Sequence, residues 1–281
     1  MWYLSKIPKV LHLYWGGKSL SFLRYLTAYS FRKHNPDWSI IVHTPTKIYE
    51  PKTWRTSEHK NFIPAGRDYF NELKELDVSF KKHDFLNYRF TNNVSETYKA
   101  DFLRWKLLSE EGGVWSDFDI IYTKPMNSMN INGEENSEAD TGICVYLSRL
   151  SAIGFIFGNA GNEFWKYVSE LCHSRFDPTN YQSIGSNLLN GKFDSIIKVK
   201  NAFSNLKPIY IDPRTVYLLD ASVINQFYTT DTLEILEDIN AIGFHWYAGH
   251  AMSQQHESSI NEQNCRSYKN TIGRIMRGVF E

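Results

Sequence analysis

Short apolar runs alternate with helical patterns over the first part of the chain. An apolar, aromatic run from Val10 to Trp15 is closed by Gly16 and Gly17, which predicts a buried strand followed by a tight turn. A helical pattern through Phe22 and Phe31 must end before Pro36, and residues 38–43 then predict a second strand. A strand, a helix and a strand at this spacing predict a parallel α/β unit.

The pattern is weak over residues 45–92, which are mixed in polarity and rich in lysine, and predict helical insertions and loops. It strengthens at Asn93, which forms a candidate capping box with Glu96, while Gly112 and Gly113 mark a helix end. The sequence therefore predicts a helix over Val94 to Glu111.

The faces of this helix follow from a step of about 100° per residue. Lys99, Lys106 and Glu110 fall on one narrow arc, which predicts the solvent side. Asp101 and Arg104 fall outside this arc, among apolar neighbours, so they are predicted to face inward. Because unpaired buried charge is costly, they either pair with each other or a nearby backbone group, or border a polar site.

Two carboxylates follow the double glycine, at Asp117 and Asp119, in a segment predicted to enter a strand. On an extended chain, positions i and i+2 share a face. Like charges held together in an apolar setting repel each other, and a divalent cation with oxygen ligands relieves that repulsion. The Asp-x-Asp spacing is common by chance, but the inward-facing Asp101 and Arg104 one helix earlier add weight to it.

Composition narrows the class of protein. The 281 residues carry 31 Lys+Arg and 31 Asp+Glu, so the net charge is zero, which argues against a nucleic-acid partner. No run approaches the roughly 18 apolar residues of a membrane helix, and the first residues are too short and polar for a signal peptide. We therefore expect no transmembrane segment and a cytoplasmic location, and the sequence is compatible with peripheral membrane association.

Cysteines and aromatic residues add two further expectations. Cys144, Cys172 and Cys265 are odd in number and far apart, which excludes a disulfide framework and a Cys-x-x-Cys metal site and predicts small core residues. Aromatic residues make up 15% of the chain, and they serve either as core volume or as surfaces that stack on nucleobases and sugars.

Three separated blocks of the chain together carry a family resemblance. They are residues 7–17 (IPKVLHLYWGG), residues 100–104 with 111–119 (ADFLR and EGGVWSDFD), and residues 243–246 (GFHW). The chain resembles the DXD-containing glycosyltransferases of the GT-A fold, in the group of α-mannosyltransferases, α-1,4-galactosyltransferases and capsular polysaccharide transferases. It is distantly similar to clostridial toxin glucosyltransferase domains.

The resemblance implies a fold and a division of the chain. It implies an α/β, Rossmann-like GT-A fold with a central, mostly parallel sheet and helical insertions, in one domain over residues 1–281. Residues 1–125 would form the nucleotide-sugar-binding half, with an insertion at about 45–92. Residues 126–281 would form the acceptor half and a C-terminal lid, for which His250 and the polar stretch 253–259 are the candidates.

The resemblance also implies how the donor nucleotide is held. Trp15 matches a residue that stacks on the nucleobase, with the backbone of Leu13 and Tyr14 reading the base edge. Core packing at a strand end is the alternative for Trp15. Trp115 and Ser116 match positions that line the same pocket, although Trp115 could equally be a core residue.

The charged residues match the sugar and metal sites of this group. Asp101 and Arg104 match positions that hold the donor sugar hydroxyls and the sugar-phosphate region. Asp117 and Asp119 match the DXD pair, with Asp119 the more direct metal ligand. His245 matches a third metal ligand in some GT-A enzymes, and a neutral imidazole suits Mn²⁺ better than Mg²⁺.

The implied activity is that of a metal-dependent retaining hexosyltransferase acting in polysaccharide biosynthesis. It would move a sugar from a nucleotide diphosphate sugar, a UDP-sugar in preference to a GDP-sugar, to a glycan, a lipid-linked glycan or a protein. Segments 152–155 and 185–186 depart from the pattern of relatives, so the acceptor cannot be carried over from them.

Two other functions remain open on the residues alone. One is a non-catalytic module that binds a sugar nucleotide or a glycan through a vestigial site. The other is a phosphatase of the haloacid-dehalogenase type, in which the first Asp is the nucleophile. The mid-chain position of the Asp pair, after Gly112 and Gly113, speaks against the phosphatase.

Overall fold

The computed structural model describes residues 4–48, 67–91, 94–131, 138–146, 150–232 and 241–281. The strands are β1 (Val10–Tyr14), β2 (Ser39–Pro45), β3 (Ser79–His83), β4 (Gly113–Ser116), β5 (Ile120–Tyr122), β6 (Thr141–Tyr146), β7 (Leu150–Gly158), β8 (Pro208–Ile211) and β9 (Gly243–His245). The α-helices are α1 (Phe22–His34), α2 (Phe70–Lys74), α3 (Glu96–Glu110), α4 (Glu163–Arg175), α5 (Ile196–Ala202), α6 (Asn225–Thr229), α7 (Ala251–Ser259) and α8 (Thr271–Phe280).

A mixed sheet organises the fold, in the order β3-β2-β1-β4-β7-β6-β8. The pairs β1–β2, β2–β3, β1–β4 and β6–β8 are parallel, whereas β7 runs antiparallel to both of its neighbours, β4 and β6. β5 and β9 form a separate antiparallel pair. The predicted α/β class and the central, mostly parallel sheet are confirmed, as is the β1–α1–β2 unit at the start of the chain.

The prediction of only helices and loops over residues 45–92 is wrong in part. Residues 79–83 form β3, which extends the sheet in parallel beside β2. The first four residues of β3 are exposed and only His83 is buried, so this edge strand carries no apolar run that the sequence could reveal. Residues 49–66, the middle of the same stretch, lie outside the described residues.

Helix α3 matches its prediction closely at both ends. It begins after Ser95, whose side chain accepts a hydrogen bond from the backbone N–H of Thr97 at 3.4 Å. The candidate cap Asn93 lies outside the described residues. Gly112 ends the helix with a left-handed φ of 67°, which glycine adopts readily.

The predicted solvent face of α3 is wrong at one position. Lys106 is half-buried and Glu110 is exposed, but Lys99 is only 1% exposed. Its Nζ lies 2.5 Å from Glu96 Oε1, and Glu96 also accepts a hydrogen bond from the Tyr14 hydroxyl. This pairing offsets the cost of burying the ammonium group, which periodicity cannot anticipate.

The core forms on both faces of the sheet. Helix α3 packs beside α4 on one face, and α1 packs near β5 on the other. Cys144, Cys172 and Cys265 are free and buried, which confirms them as core residues. Within the described ranges, no helix has both the length and the apolar character needed to cross a bilayer.

Candidate active site

A cavity opens where β1 and β4 end, beside the first half of α3. Its walls come from the turn after β1, from α1, from α3 and from residues 115–119. The sequence-predicted residues that line it are Tyr14, Trp15, Asp101, Arg104, Trp115, Ser116, Asp117 and Asp119. Leu13 is fully buried in the core beneath it, and His245 lines an adjoining cavity.

The two carboxylates of the DXD motif lie in a turn and not on a strand, so this part of the prediction is wrong. β4 ends at Ser116, where its pairing with β7 ends opposite Phe155. The next backbone N–H, that of Asp117, donates to the Gly154 carbonyl at 2.8 Å, and residues 118–119 turn the chain into β5. The two carboxylates therefore meet because the chain turns between them, and not because they share one face of a strand.

His245 completes this group of oxygen and nitrogen atoms. The pairing of β5 with β9 sets Ile120 opposite His245, so the imidazole lies beside the preceding residue, Asp119. The distance from His245 Nε2 to Asp119 Oδ1 is 3.1 Å. One ligand atom each from Asp117, Asp119 and His245 lies within 4.8 Å of the others. Two carboxylates and one imidazole form a donor set that suits Mn²⁺ or Mg²⁺, with the imidazole favouring Mn²⁺.

Asp119 is held as a buried anion. Burial alone would raise the pKa of its carboxyl, but His245, Arg24 and the N–H of Ala248 outweigh burial and lower that pKa below its usual range. The Ala248 N–H donates to Asp119 Oδ2 at 2.9 Å, which leaves Oδ1 facing His245. The carboxylate is therefore oriented by backbone on one oxygen and available to a cation on the other.

Arg104 joins the helix to the DXD turn. Its Nη1 donates to Asp101 Oδ1 at 2.6 Å and its Nη2 donates to Asp117 Oδ1 at 3.1 Å. The guanidinium also lies over the Trp115 ring, 5.0 Å from its centre, and Trp115 Nε1 donates to the same Asp117 oxygen at 2.8 Å. The sequence left open whether Asp101 and Arg104 pair or border a polar site. They do both.

Asp101 is the most strongly buried carboxyl of the cavity wall. Burial raises its pKa to about 6, against the opposing effect of Arg104 and with a smaller contribution from Asp117. Its Oδ2 has no hydrogen-bond partner among the described residues. A Cβ at Gly185 would lie 2.8 Å from that oxygen, so the glycine leaves the space beside it open.

Trp15 belongs to the core and to the cavity wall at once, so neither of its two predicted roles is excluded. It is 8% exposed, with its ring edge against Phe118 and the Arg24 guanidinium 4.7 Å from its ring centre. Its Nε1 donates to the Ser19 carbonyl at 3.1 Å. A Cβ at Gly17 would lie 2.7 Å from the indole, so the glycine keeps that side of the ring clear.

Sequence reasoning missed several residues of the site. Arg24 carried no signal, because its charge is typical of any helix surface. Glu96 fits the pattern of a helix cap, which hides that it lines the cavity. Gly154 and Gly185 lie in the two segments noted as departures, and they contact Asp117 and Asp101 respectively. Those departures are therefore part of the site itself.

Comparison with known families points to the same region of the chain as the site geometry. Residues 24–138 match the family described as glycosyltransferase sugar-binding region containing DXD motif. This part of the chain is similar to that sugar-binding region. The match includes Asp101, Arg104, Asp117 and Asp119, and it confirms the prediction of an enzyme of the glycosyltransferase class. No curated protein sequence matches the chain.

Solved structures of glycosyltransferases resemble the chain at low sequence identity. PaToxG glycosyltransferase is 14% identical, with a TM-score of 0.49 over 98% of this chain and 90% of that one. An active-site mutant of LgtC is 11% identical, with a TM-score of 0.42 over 91% and 98%. A glycosyltransferase involved in glycosylation of the major capsid of PBCV-1 is 13% identical, with a TM-score of 0.41 over 89% and 99%.

Proposed function

We propose that the chain is a GT-A hexosyltransferase that transfers a sugar, with retention of configuration, from a nucleotide diphosphate sugar to a hydroxyl acceptor. A UDP-sugar is favoured over a GDP-sugar as the donor, and a glycan, a lipid-linked glycan or a protein is the acceptor. The observation that carries this proposal is the convergence of Asp117, Asp119 and His245 beside Arg104, at a cavity walled by Trp15.

The charges of the cavity fit an anionic donor. Transfer of the sugar leaves negative charge on the departing β-phosphate, and Arg104 stands fully buried at the DXD turn to stabilise it. Asp117, Asp119 and His245 would hold Mn²⁺, which when bound supplies further positive charge at that phosphate. Arg24, over Trp15, adds a second cation to the wall. These groups reconcile a chain of zero net charge with an anionic substrate.

The remaining residues position the donor. Trp15 would stack on the nucleobase, in a site where base–aromatic stacking contributes about 1–3 kcal/mol. Asp101, whose Oδ2 lacks a partner among the described residues, would accept a hydrogen bond from a donor-sugar hydroxyl. We propose that the acceptor attacks on the face from which the diphosphate leaves, without a covalent intermediate on a protein side chain.

The test combines donor binding with turnover. The purified chain is screened by thermal shift against UDP- and GDP-sugars with and without Mn²⁺, and hydrolysis or transfer of the best donor is then measured. A ligand at 100 times its Kd stabilises the fold by about 2.7 kcal/mol, which a melting curve resolves. We expect Mn²⁺-dependent stabilisation by a sugar nucleotide, and turnover of that donor.

Asp119→Asn is the decisive variant, because the amide oxygen can still accept the Ala248 N–H while the charge is lost. We expect turnover to fall about 1,000-fold with little change in melting temperature. Asp231→Asn is the matched control, since that carboxylate pairs with Arg274 on the surface. Unchanged turnover in Asp119→Asn would refute the proposal. Donor binding without any turnover would favour the vestigial binding module, and a phosphoryl group trapped on Asp117 would favour the phosphatase.

A further inference from the structure

Helix α7 places a buried carboxylate against Arg24, which lines the cavity of the candidate active site. Glu257 is 2% exposed and does not line that cavity itself. Its Oε1 accepts a hydrogen bond from Arg24 Nε at 2.7 Å and another from Ser21 Oγ at 2.6 Å. Arg24 lies on α1, 233 residues earlier in the chain. The fold thus joins α7 to the cavity wall through one ion pair.

The guanidinium of Arg24 is close to both ends of the proposed donor. It lies 4.7 Å from the centre of the Trp15 ring. Against the effect of burial, His245 and then Arg24 lower the pKa of the Asp119 carboxyl, so the charge of Arg24 acts at the DXD turn as well. A donor with its base on Trp15 and its diphosphate at the DXD turn would have phosphate oxygens near Arg24. A guanidinium bonds well to such oxygens.

The contacts of Arg24 hold it in one orientation. A free arginine side chain has about 2 kcal/mol of rotamer entropy, which a ligand must overcome if it orders the side chain on binding. Glu257 bonds to Nε, the guanidinium nitrogen nearest to the backbone, and the Trp246 ring lies 5.6 Å from the same guanidinium. The Arg24 side chain is only 13% exposed. It is therefore ordered before a ligand binds.

The attachment of α7 does not by itself account for this carboxylate. Ser253 Oγ also donates to the Trp246 carbonyl at 2.6 Å, and the His256 ring stacks on Tyr228 with 4.1 Å between ring centres. Glu257 Oε2, by contrast, is buried without a hydrogen-bond partner among the described residues. A buried carboxylate with one unsatisfied oxygen is costly, so it calls for a role beyond helix packing.

We propose that Glu257 is a positioning residue for the donor, which holds Arg24 so that its guanidinium binds the phosphates of the sugar nucleotide. This inference rests on the proposed function. Glu257 itself contacts no substrate, and its effect passes through Arg24. If Glu257 orients Arg24, its removal weakens binding of the nucleotide. If Glu257 only neutralised the charge of Arg24, its removal would strengthen that binding, so the direction of the change separates the two roles.

Binding of nucleoside diphosphates tests the proposal without requiring turnover. UDP and GDP are titrated by calorimetry in the presence of Mn²⁺, and the tighter of the two is used for every variant. Glu257→Ala releases Arg24, so we expect Kd to rise about tenfold, which corresponds to one side chain that is ordered only on binding.

Two conservative variants separate reach from charge. Glu257→Asp keeps the charge but is one methylene shorter, so we expect Kd to rise as it does in Glu257→Ala. Glu257→Gln loses the charge but keeps an oxygen that accepts from Arg24 and Ser21, so we expect Kd within about threefold of the wild type. This pair decides the question even if Glu257→Ala does not fold.

A double-mutant cycle shows whether Glu257 acts through Arg24. Arg24→Ala should raise Kd at least as much as Glu257→Ala, and the double variant should match Arg24→Ala alone. Asp140→Ala is the matched control, because Asp140 is also a buried carboxylate, accepts the Lys207 N–H at 2.9 Å and does not line the cavity. It should lower the melting temperature and leave Kd unchanged.

The outcomes separate this inference from the proposed function. If Glu257→Ala and Glu257→Asp bind the nucleotide as tightly as the wild type, or more tightly, the inference is wrong. Additive losses in the double variant, or an equal loss in Asp140→Ala, would also overturn it. If Kd follows the expected pattern but no sugar nucleotide is turned over, the proposed function fails while the positioning role stands. A wild type that binds neither UDP nor GDP overturns both.

Discussion

Among the described residues, two groups of histidines have opposite surroundings. His245 faces two carboxylates at the edge of a cavity, in the group Asp117, Asp119 and His245, which we call the DXD cluster. The other region is a histidine chain formed by His12, His43 and His83, which lie on the adjacent strands β1, β2 and β3. There the imidazoles bond to one another.

The hydrogen bonds of the histidine chain all run in one direction. His12 Nε2 lies 2.8 Å from the Gly112 carbonyl, which can only accept, so His12 carries its proton on Nε2. Its Nδ1 then accepts from His43 Nε2 at 3.0 Å, and His43 Nδ1 accepts from His83 Nε2 at 2.8 Å. The Tyr88 hydroxyl closes the chain on His83 Nδ1 at 3.0 Å. Every ring nitrogen is used, so none remains for a metal or a substrate.

The difference teaches what distinguishes a structural buried histidine from a candidate ligand. Burial lowers the pKa of all three chain histidines, to about 2 for His43 and about 4 for His83, so they stay neutral and satisfied. His245 instead faces Asp119, which its lowered pKa keeps ionised, so an anion stands beside this imidazole. Burial alone does not mark a functional histidine, but the charge and the open space that it faces do.

We expect the largest effect from a variant that disrupts the DXD cluster. His245→Ala removes one of the three proposed ligands, so we expect Mn²⁺-dependent turnover to fall about 100-fold and the Mn²⁺ concentration for half-maximal turnover to rise. The measurement is a Mn²⁺ titration of donor hydrolysis. His34→Ala, at the end of α1 and outside the site, is the control variant. An unchanged Mn²⁺ titration in His245→Ala would exclude this histidine as a ligand.

The next largest effect is a loss of stability in a variant that interrupts the histidine chain. His43→Ala leaves His12 and His83 each without one partner and opens a cavity, so we expect the free energy of unfolding to fall by about 3 kcal/mol. Urea denaturation measures this loss. His34→Ala, at the end of α1, should change stability by less than about 1 kcal/mol. If His43→Ala altered the Mn²⁺ titration of the folded protein, the two regions would not be independent.

The third effect is the pH dependence of the stability that the histidine chain contributes. The lowered pKa values mean that the unfolded state binds protons that the folded state does not, between about pH 4 and the usual histidine pKa near 6.5. Stability should therefore fall as the pH falls through this window, by up to about 1.4 kcal/mol per pH unit for each histidine. Asp101 and Glu96, whose pKa values are raised, oppose this trend.

The pH effect is measured by urea denaturation of the wild type and His43→Ala at pH 7, 6 and 5. The difference between the two proteins isolates the contribution of the chain from that of the carboxyl groups. We expect His43→Ala to show the smaller dependence on pH. Parallel curves for the two proteins would contradict the neutral, fixed chain.

The smallest effect concerns Trp15, which is shared between core and cavity. Trp15→Ala should weaken nucleotide binding about tenfold, in line with the loss of one base–aromatic contact, and this loss is measured by calorimetry. Trp38→Ala is the matched control, because Trp38 is a buried core tryptophan that packs on Phe31. It should lower the melting temperature without changing affinity. If Trp15→Ala did the same, Trp15 would be a core residue alone.

Local patterns predicted much of the first half of the fold. Apolar runs and turn residues predicted the β1–α1–β2 unit, and the double glycine predicted the end of α3. Helical periodicity predicted that Asp101 and Arg104 face inward, and both are buried. These successes rest on the order of apolar, polar and glycine residues over short stretches, which the sequence displays directly.

The failures share a different cause. β3 is an exposed edge strand that pairs with its neighbour β2. Lys99 is buried beside Glu96, which in turn accepts a hydrogen bond from Tyr14 on β1. The two DXD carboxylates meet in a turn because β4 stops pairing at Ser116. In each case a residue on another element contributes to the outcome: β2 for β3, Tyr14 for Lys99 through Glu96, and β7 for the end of β4.

The sequence by itself determined the α/β class, the helix that carries Asp101 and Arg104, and the carboxylate pair at residues 117 and 119. Only the tertiary structure decided that His245, more than a hundred residues later in the chain, stands 3.1 Å from Asp119, and that His12, His43 and His83 satisfy one another. The physical reason is that strand register sets these distances. A histidine in a sequence has no fixed role until the sheet places a carboxylate, another imidazole or a cavity beside it.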